Sequence, residues 1–388
     1  MRRKSNDYPI GLAGHVVRSL LFRTGQYERL GRKFWRPTTE APYIHQLYSR
    51  HVEMFDGIPT DFADPTYNAM IGPESINCSA IEETITAIDN AWVEPSRCQV
   101  IGPDGRLVRR SLTHRVVPVY PSAFRYAMHG KGVALPEAVV YDGYHGTNFY
   151  HHLVDMLPII ELLFERSGLP RDIPLIVNRW LVESRFFAYL YQRSPAFAAL
   201  NWRIQEPGEW LRVGRLYRLD PPPYVHASLA RSRALYGHLS EPKGRRVFLS
   251  RDSKRYGRGI RNEAEVAALL ATHGFETVYA EHLTLEQQQA LFEEITHLVA
   301  LQGMGMAQMI FMDWPQGHIL ELTPRDRITS EYYWQGWTQG VRYYDVHTGT
   351  EMDEAGQYEV DLDRLEQGVQ RMLNHPPDKR RYGETLID

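Results

Sequence analysis

Reactive and ligand-binding side chains gather in three short segments of this sequence. The first is Tyr144-His145-Gly146-Thr147-Asn148-Phe149-Tyr150-His151-His152-Leu153-Val154-Asp155. His151 and Asp155 are four residues apart, so on a helix they share a face, where a carboxylate can orient an imidazole as a general base. A structural histidine pair at a helix start is the alternative. His145, His151 and His152 also offer nitrogens to zinc, but no acidic or cysteine ligand follows at a familiar spacing. The second segment, Ser250-Arg251-Asp252-Ser253-Lys254-Arg255-Tyr256-Gly257-Arg258, puts three arginines and a lysine just after an apolar run. Planar guanidinium forks grip phosphate in pairs, although a basic loop can equally be a solvated one. Asn262-Glu263 opens the next helical pattern, where Asn262 suits a cap. The third segment is Leu301-Gln302-Gly303-Met304-Gly305-Met306-Ala307-Gln308. Its two glycines let backbone amides approach a phosphate, but it lacks the third glycine of a dinucleotide fingerprint. Glu321 is spaced to accept from a ribose or to pair with Arg325.

Two other groups compete for attention. Asp361-Leu362-Asp363 has the Asp-x-Asp form of some metal sites, yet it precedes a helical pattern, where aspartates cap. Tyr332, Tyr333, Trp334 and Trp337 could stack on a sugar ring or fill a core.

The surrounding patterns predict the elements that hold these groups. Met1 to about Pro73 is irregular, and Ser79–Ile88 reads as a short helix. Gly102-Pro103-Asp104-Gly105 suits a hairpin turn between Cys98–Ile101 and Leu107 onward. A strand at Ala138–Tyr141 then leads into a helix over Asn148–Arg166, with Leu153, Met156, Leu157, Ile160 and Leu163 on one face. Strands are expected at Pro174–Asn178 and Leu216–Leu219, and a helix at Leu181–Arg193. From residue 246 a β-α-β rhythm appears: strands at Arg246–Ser250, Thr277–Ala280, His297–Leu301 and His318–Leu322. Between them lie helices at Asn262–His273 and Thr284–Glu294, with a capping box at Thr284 and Gln287, and a short one at Ala307–Met312. A last helix over Asp361–Leu373 is expected to pack back on the first domain.

Composition narrows the classes. The chain has 388 residues, 44 Lys plus Arg against 47 Asp plus Glu, and a net charge of −3, which argues against general nucleic-acid binding. Two cysteines, Cys78 and Cys98, build no disulfide framework or cysteine zinc site. No apolar run is long enough to span a bilayer. Residues 1–36 hold nine Lys or Arg against Asp7 and Glu28; a helix there would make a basic face for peripheral membrane contact or simply a solvated one.

In order and spacing these segments resemble glycosyltransferase family 61. Asn148-Phe149-Tyr150-His151-His152-Leu153-Val154-Asp155-Met156-Leu157-Pro158 is similar to the family's Asn-x-[Tyr/Phe]-His-[Trp/His]-x-x-Asp followed by Leu-Pro. Ser250-Arg251, Arg258 and Asn262-Glu263 resemble its second signature, and Gly274-Phe275-Glu276, the glycine turn and Glu321 follow in order. The resemblance runs over about residues 135–325. Where the family usually has His-Gly-Ala-Gly, this chain has Gln302-Gly303-Met304-Gly305; Gln302 can hydrogen-bond a phosphate or sugar but carries no positive charge.

The resemblance implies an α/β GT-B fold of two facing Rossmann-like domains: residues 1–235 on the acceptor side, 236–350 holding a nucleotide sugar, and 351–388 the final helix. It implies an inverting, metal-independent glycosyltransferase of surface or capsular polysaccharide synthesis, with a UDP-sugar as donor, no cofactor and a cytoplasmic location. Arg251, Arg255, Arg258, Asn262, Gln302, Gly303, Met304, Gly305 and Glu321 would then hold the donor. His151 or Asp155 would deprotonate the acceptor hydroxyl, and Asn148 and His152 would support the acceptor side. The alternative is a non-catalytic nucleotide- or glycan-binding relative, motivated by Gln302.

Overall fold

The computed structural model describes residues 38, 40–53, 80–95, 98–108, 132–141, 148–221, 225–252 and 259–375. The basic N-terminal segment, Cys78, Tyr144–Thr147, Arg255 and Arg258 lie outside them.

Two α/β layers are present. The first sheet contains β1 (Ile44–Glu53), β2 (Ala80–Val93), β3 (Val100–Ile101), β4 (Val133–Val140), β5 (Leu175–Asn178), β6 (Trp202–Gln205) and β7 (Leu211–Asp220). Its order is β1-β2-β7-β4-β5-β6, with β3 beside β2. β7, β4, β5 and β6 run parallel, while β2 is antiparallel to β1 and β7. The second sheet contains β8 (Arg245–Ser250), β10 (Glu276–Tyr279), β11 (Ile295–Leu301), β12 (His318–Thr323) and β13 (Tyr343–Thr348), in the order β10-β8-β11-β12-β13. All four of its pairings are parallel. A separate parallel pair joins β9 (Gly259–Ile260) to β14 (Gln357–Tyr358).

Period-two burial builds the second sheet. Phe248, Val299, Leu301, Leu320 and Leu322 face α3 (Glu263–Thr272) and α6 (Leu362–Leu373) through one apolar cluster. Val247, Leu249, Leu298, Ala300 and Ile319 face the opposite side, toward α4 (Leu285–Glu294), the tight helical turns of Met304–Phe311 and α5 (Glu331–Gln339). That second cluster continues without a break into Ile85, Ala87, Val139 and Tyr141 of the first sheet and its helices. One helical layer is therefore shared by both sheets, and burial on both faces explains why the strands read as near-continuous apolar runs.

Three expectations differ. Ala80–Val93 is a strand rather than a helix from Ser79 to Ile88. Its β-branched Thr84, Ile85, Thr86 and Ile88 favour a pleated backbone, and β1 and β7 satisfy its amides on both edges. Among the described residues the helix α6 packs on the second sheet, with Leu365, Val369 and Met372 in one apolar cluster with Leu320 and Val299, where packing on the first domain was expected. Leu181–Arg193 is broken at Ser184, whose hydroxyl caps α1 (Arg185–Arg193) by accepting from the Phe187 amide at 3.2 Å. The capping box at Thr284 and Gln287 and the Gly102–Gly105 turn form as expected. Among the described residues, no helix is long and apolar enough to cross a membrane.

The helical segment 149–166 carries the first candidate site. Its α-turns at Phe149–His151 and Pro158–Glu161 alternate with π-turns at His152–Met156 and Leu162–Arg166. Pro158 has no N–H to offer the Val154 carbonyl; just before it, Leu157 donates five residues back to His152 at 3.1 Å. Leu157 itself is 1% exposed and lies in the cluster shared by both sheets. Leu157→Ala should therefore cost about 2–5 kcal/mol in a urea titration, and a loss below about 1 kcal/mol would show that this layer is not a packed core.

Candidate active site

In chain order the second sheet runs 2-1-3-4-5, so connections leave β8 and β11 in opposite directions. Open α/β sheets bind ligands in the crevice at the carboxyl ends of such a strand pair. Here the crevice is framed by Arg251 after β8 and by Gln302–Gly305 after β11. Arg251 Nη2 donates to the Gln302 carbonyl at 3.2 Å, and the Gln302 amide is held by the Leu322 carbonyl at 2.8 Å. Gly303 has φ 154° and ψ 179°, a glycine conformation, and a Cβ there would overlap the Arg251 guanidinium. The third segment's first glycine is thus required by both its backbone and its neighbour.

Glu321, on β12, is fully buried. It accepts from Gln302 Nε2 at 2.8 Å and from the Tyr344 hydroxyl at 2.6 Å. Arg325 is not among these partners, and the carboxylate braces the turn from below. Burial pushes its carboxyl up to about 7, against the two hydrogen bonds, which favour ionisation. Tyr344 was not legible as a site residue because β13 and α5 were not expected.

The Ser-Arg and Asn-Glu pairs form internal ties. The Ser250 hydroxyl and the Tyr279 hydroxyl both donate to Glu263 Oε1, the latter at 2.8 Å. Asn262 gives no side-chain cap to α3; its Nδ2 donates to the Val360 carbonyl at 2.8 Å and its Oδ1 accepts from the Val360 amide at 3.1 Å. This side chain thus ties the start of α3 to the Val360 backbone. Together the ties fix the end of β8, and hence the root of Arg251, to the start of α3.

At the first sheet, the helical segment 149–166 starts nine residues after Val140, the last residue of β4, and leads on to β5 beside it. Asn148 Oδ1 caps it by accepting from the Tyr150 amide at 3.0 Å. His151 Nδ1 and Asp155 Oδ2 are 2.6 Å apart, both side chains partly exposed. The expected base and orienting carboxylate are therefore in contact. His152 is different: it is fully buried near Phe186, and neither ring nitrogen has a hydrogen-bond partner. Burial pushes its imidazole down to about 3, so it stays neutral and supports the fold.

The two clusters meet. The Phe149 amide donates to Met304 Sδ at 3.4 Å, and the Tyr150 ring lies edge-on to Tyr332 with centroids 5.3 Å apart. Tyr150 also packs edge-on against the His151 ring. Tyr333 and Trp337 are core residues, while Tyr332 seals this junction. Asp361 caps α6 by accepting from the Arg364 amide at 3.1 Å, as its position before a helix implied. Among the described residues, no group of three His, Cys, Asp or Glu is arranged to hold a metal.

Two outcomes follow from this geometry. Gly303→Ala must displace Arg251 and strain the turn by about 1–3 kcal/mol, whereas an added Cβ at Gly305 meets only the Leu249 side chain at 3.3 Å; thermal melts should rank Gly303→Ala as the more damaging. Glu321 has a folded-state value near 7 above its ordinary 4.5, so between those pH values the folded protein keeps a proton that the unfolded chain releases. Its contribution to stability is then present at low pH and lost as pH rises through that window. Glu321→Gln should flatten this fall in urea titrations at about pH 5 and about pH 8, and an unchanged slope would remove Glu321 as its source.

Residues 149–317 match the family described as Glycosyltransferase 61. No curated protein matches the chain. The matched span includes the His151–Asp155 pair, Arg251 with its Ser250–Glu263 tie, and the 302–305 turn, and it stops just before Glu321. Over this span the chain is similar to glycosyltransferase family 61, a likeness that points to glycosyltransferase activity.

Proposed function

We propose that this protein moves a sugar from a nucleotide-sugar donor, a UDP-sugar, to a hydroxyl of a glycan acceptor, with inversion and without a metal. The observation that carries the reading is the contact between the two clusters. The helix start bearing His151 and Asp155 touches, through Phe149 and Met304, the turn that lies over Arg251. An inverting displacement needs a base on one side of the anomeric carbon and positive charge on the other, and no covalent intermediate.

In this mechanism Asp155 accepts the Nδ1–H of His151, which leaves the ring's lone pair on Nε2. Nε2 takes the proton from the acceptor hydroxyl as its oxygen bonds to the anomeric carbon. The bond from that carbon to the diphosphate oxygen breaks, and the nucleoside diphosphate leaves with the electron pair. Arg251 and the amides at the head of the 304–311 turns offset the charge that develops on it. Gly303 and Gly305 keep that approach open, and Arg255 and Arg258 add charge from the same connection. Gln302 acts through Glu321 and its own carbonyl rather than as a cation. The two sheets would be the two halves of a GT-B arrangement, divided near residue 236, with the acceptor glycan of a surface or capsular polysaccharide on the first. A peripheral membrane contact through residues 1–36 suits that role.

The test is turnover with a panel of UDP-, GDP- and dTDP-sugars and glycan acceptors, with and without EDTA, reading product anomer by NMR. His151→Ala should lower kcat by about 10²–10⁴-fold, and Asp155→Asn should lower it substantially, each with nucleoside diphosphate affinity unchanged. Full turnover in both variants would remove the proposed base, and donor binding without turnover in the parent protein would favour the non-catalytic alternative.

A further inference from the structure

A second arginine reaches the crevice that Arg251 guards. Past β12 the chain turns through Pro324-Arg325-Asp326-Arg327, and the Arg327 amide closes this turn on the Pro324 carbonyl at 3.2 Å. Two more bonds pin it: Arg325 N donates to the Thr350 carbonyl at 3.2 Å, and Asp326 Oδ1 accepts from the Met352 amide at 2.9 Å. Arg327 is exposed, and its side chain makes no ion pair among the described residues. It lines one small pocket with Arg251, Gln302, Tyr358 and Met352. Tyr358 is a fixed wall of that pocket, since it is buried and its hydroxyl donates to the Leu322 carbonyl at 3.1 Å. The carboxylate of Asp326, the nearest acid in sequence, is occupied by the Met352 amide. Arg251 and Arg327 thus line one pocket beside Tyr358 and Met352, and they follow the carboxyl ends of β8 and β12, the two strands that flank β11.

Two planar guanidinium forks that line one pocket suit two linked phosphoryl groups better than one. We propose that Arg327 is a second diphosphate-binding residue, paired with Arg251, and that the pair selects nucleoside diphosphate donors over monophosphate donors. The inference rests on the donor-site reading given above, but it names a residue outside both the resemblance and the matched span.

Calorimetric titration with UDP, GDP and dTDP identifies the tightest nucleotide, and its monophosphate is then titrated alongside. Arg327→Ala should weaken the diphosphate by about tenfold to a hundredfold and the monophosphate by much less, so the preference between them collapses. Arg327→Lys should recover part of it, and in turnover the loss should fall on KM for the donor rather than on kcat. An unchanged melting temperature shows that this exposed substitution leaves the fold intact. If Arg251→Ala loses diphosphate affinity and Arg327→Ala stays within about twofold of the parent, the inference fails and the donor-site reading stands. Equal losses for diphosphate and monophosphate would also overturn it, because Arg327 would then contact the nucleoside. If no nucleoside diphosphate binds, or neither variant changes binding, both fall together.

Discussion

The contact on which the site depends is the Arg251 guanidinium resting on the Gln302 carbonyl, across the diverging ends of β8 and β11. A guanidinium can sit there only because the next residue is glycine in a conformation that other residues avoid. The turn in turn stands on Glu321, and Glu321 on Tyr344, so a chain of hydrogen bonds runs from the second sheet's interior to the crevice. A buried carboxyl is costly unless its oxygens are bonded. Here both are, and the side chains that satisfy it are the ones that fix the turn.

The second constraint is the helical layer shared by the sheets. Phe149, Tyr150, Leu153, Leu157 and Ile160 belong to the same apolar cluster as Met306, Ile310 and Phe311 behind the glycine turn. Burying these faces against each other brings the helix start that carries His151 and Asp155 against the glycine turn, and the Phe149 amide bonds to Met304 Sδ across that contact. His152 sits inside this layer as a neutral imidazole with no partner. It lies at the start of a π-turn, a distortion often found beside functional residues, next to His151, whose ring stays partly exposed and bonded to Asp155. Two adjacent histidines therefore have opposite environments, set by which side of the helix each occupies.

The position of Gln302 acquires a physical meaning from these contacts. Its side chain points to Glu321 rather than outward, and its backbone holds Arg251 and Leu322. A neutral amide meets a buried carboxyl with a hydrogen bond and adds no charge to the crevice. The cationic character of this site then rests on arginines, and the carboxyl beneath is left with a raised affinity for protons.

The sequence by itself determined the alternation of the second half, the capping box at Thr284, the cap at Asp361 and the pairing of His151 with Asp155. Each of these is a local matter: periodicity, a cap three residues from its amide, or two side chains one helical turn apart. The glycine turn and Arg251 were also legible, because loops after strands carry recognisable residue types. Only the tertiary structure decided the rest. Ala80–Val93 is a strand because two neighbours pair with it, and α6 lies on the second sheet because Leu320 and Val299 offer the apolar face it needs. Asn262 turned out to be a tie to Val360, 98 residues away, and Glu321 a buried brace bonded to Gln302 and Tyr344. Those roles depend on groups far apart in the chain, and residue type and spacing carry no record of which distant backbone or hydroxyl will satisfy a buried polar atom.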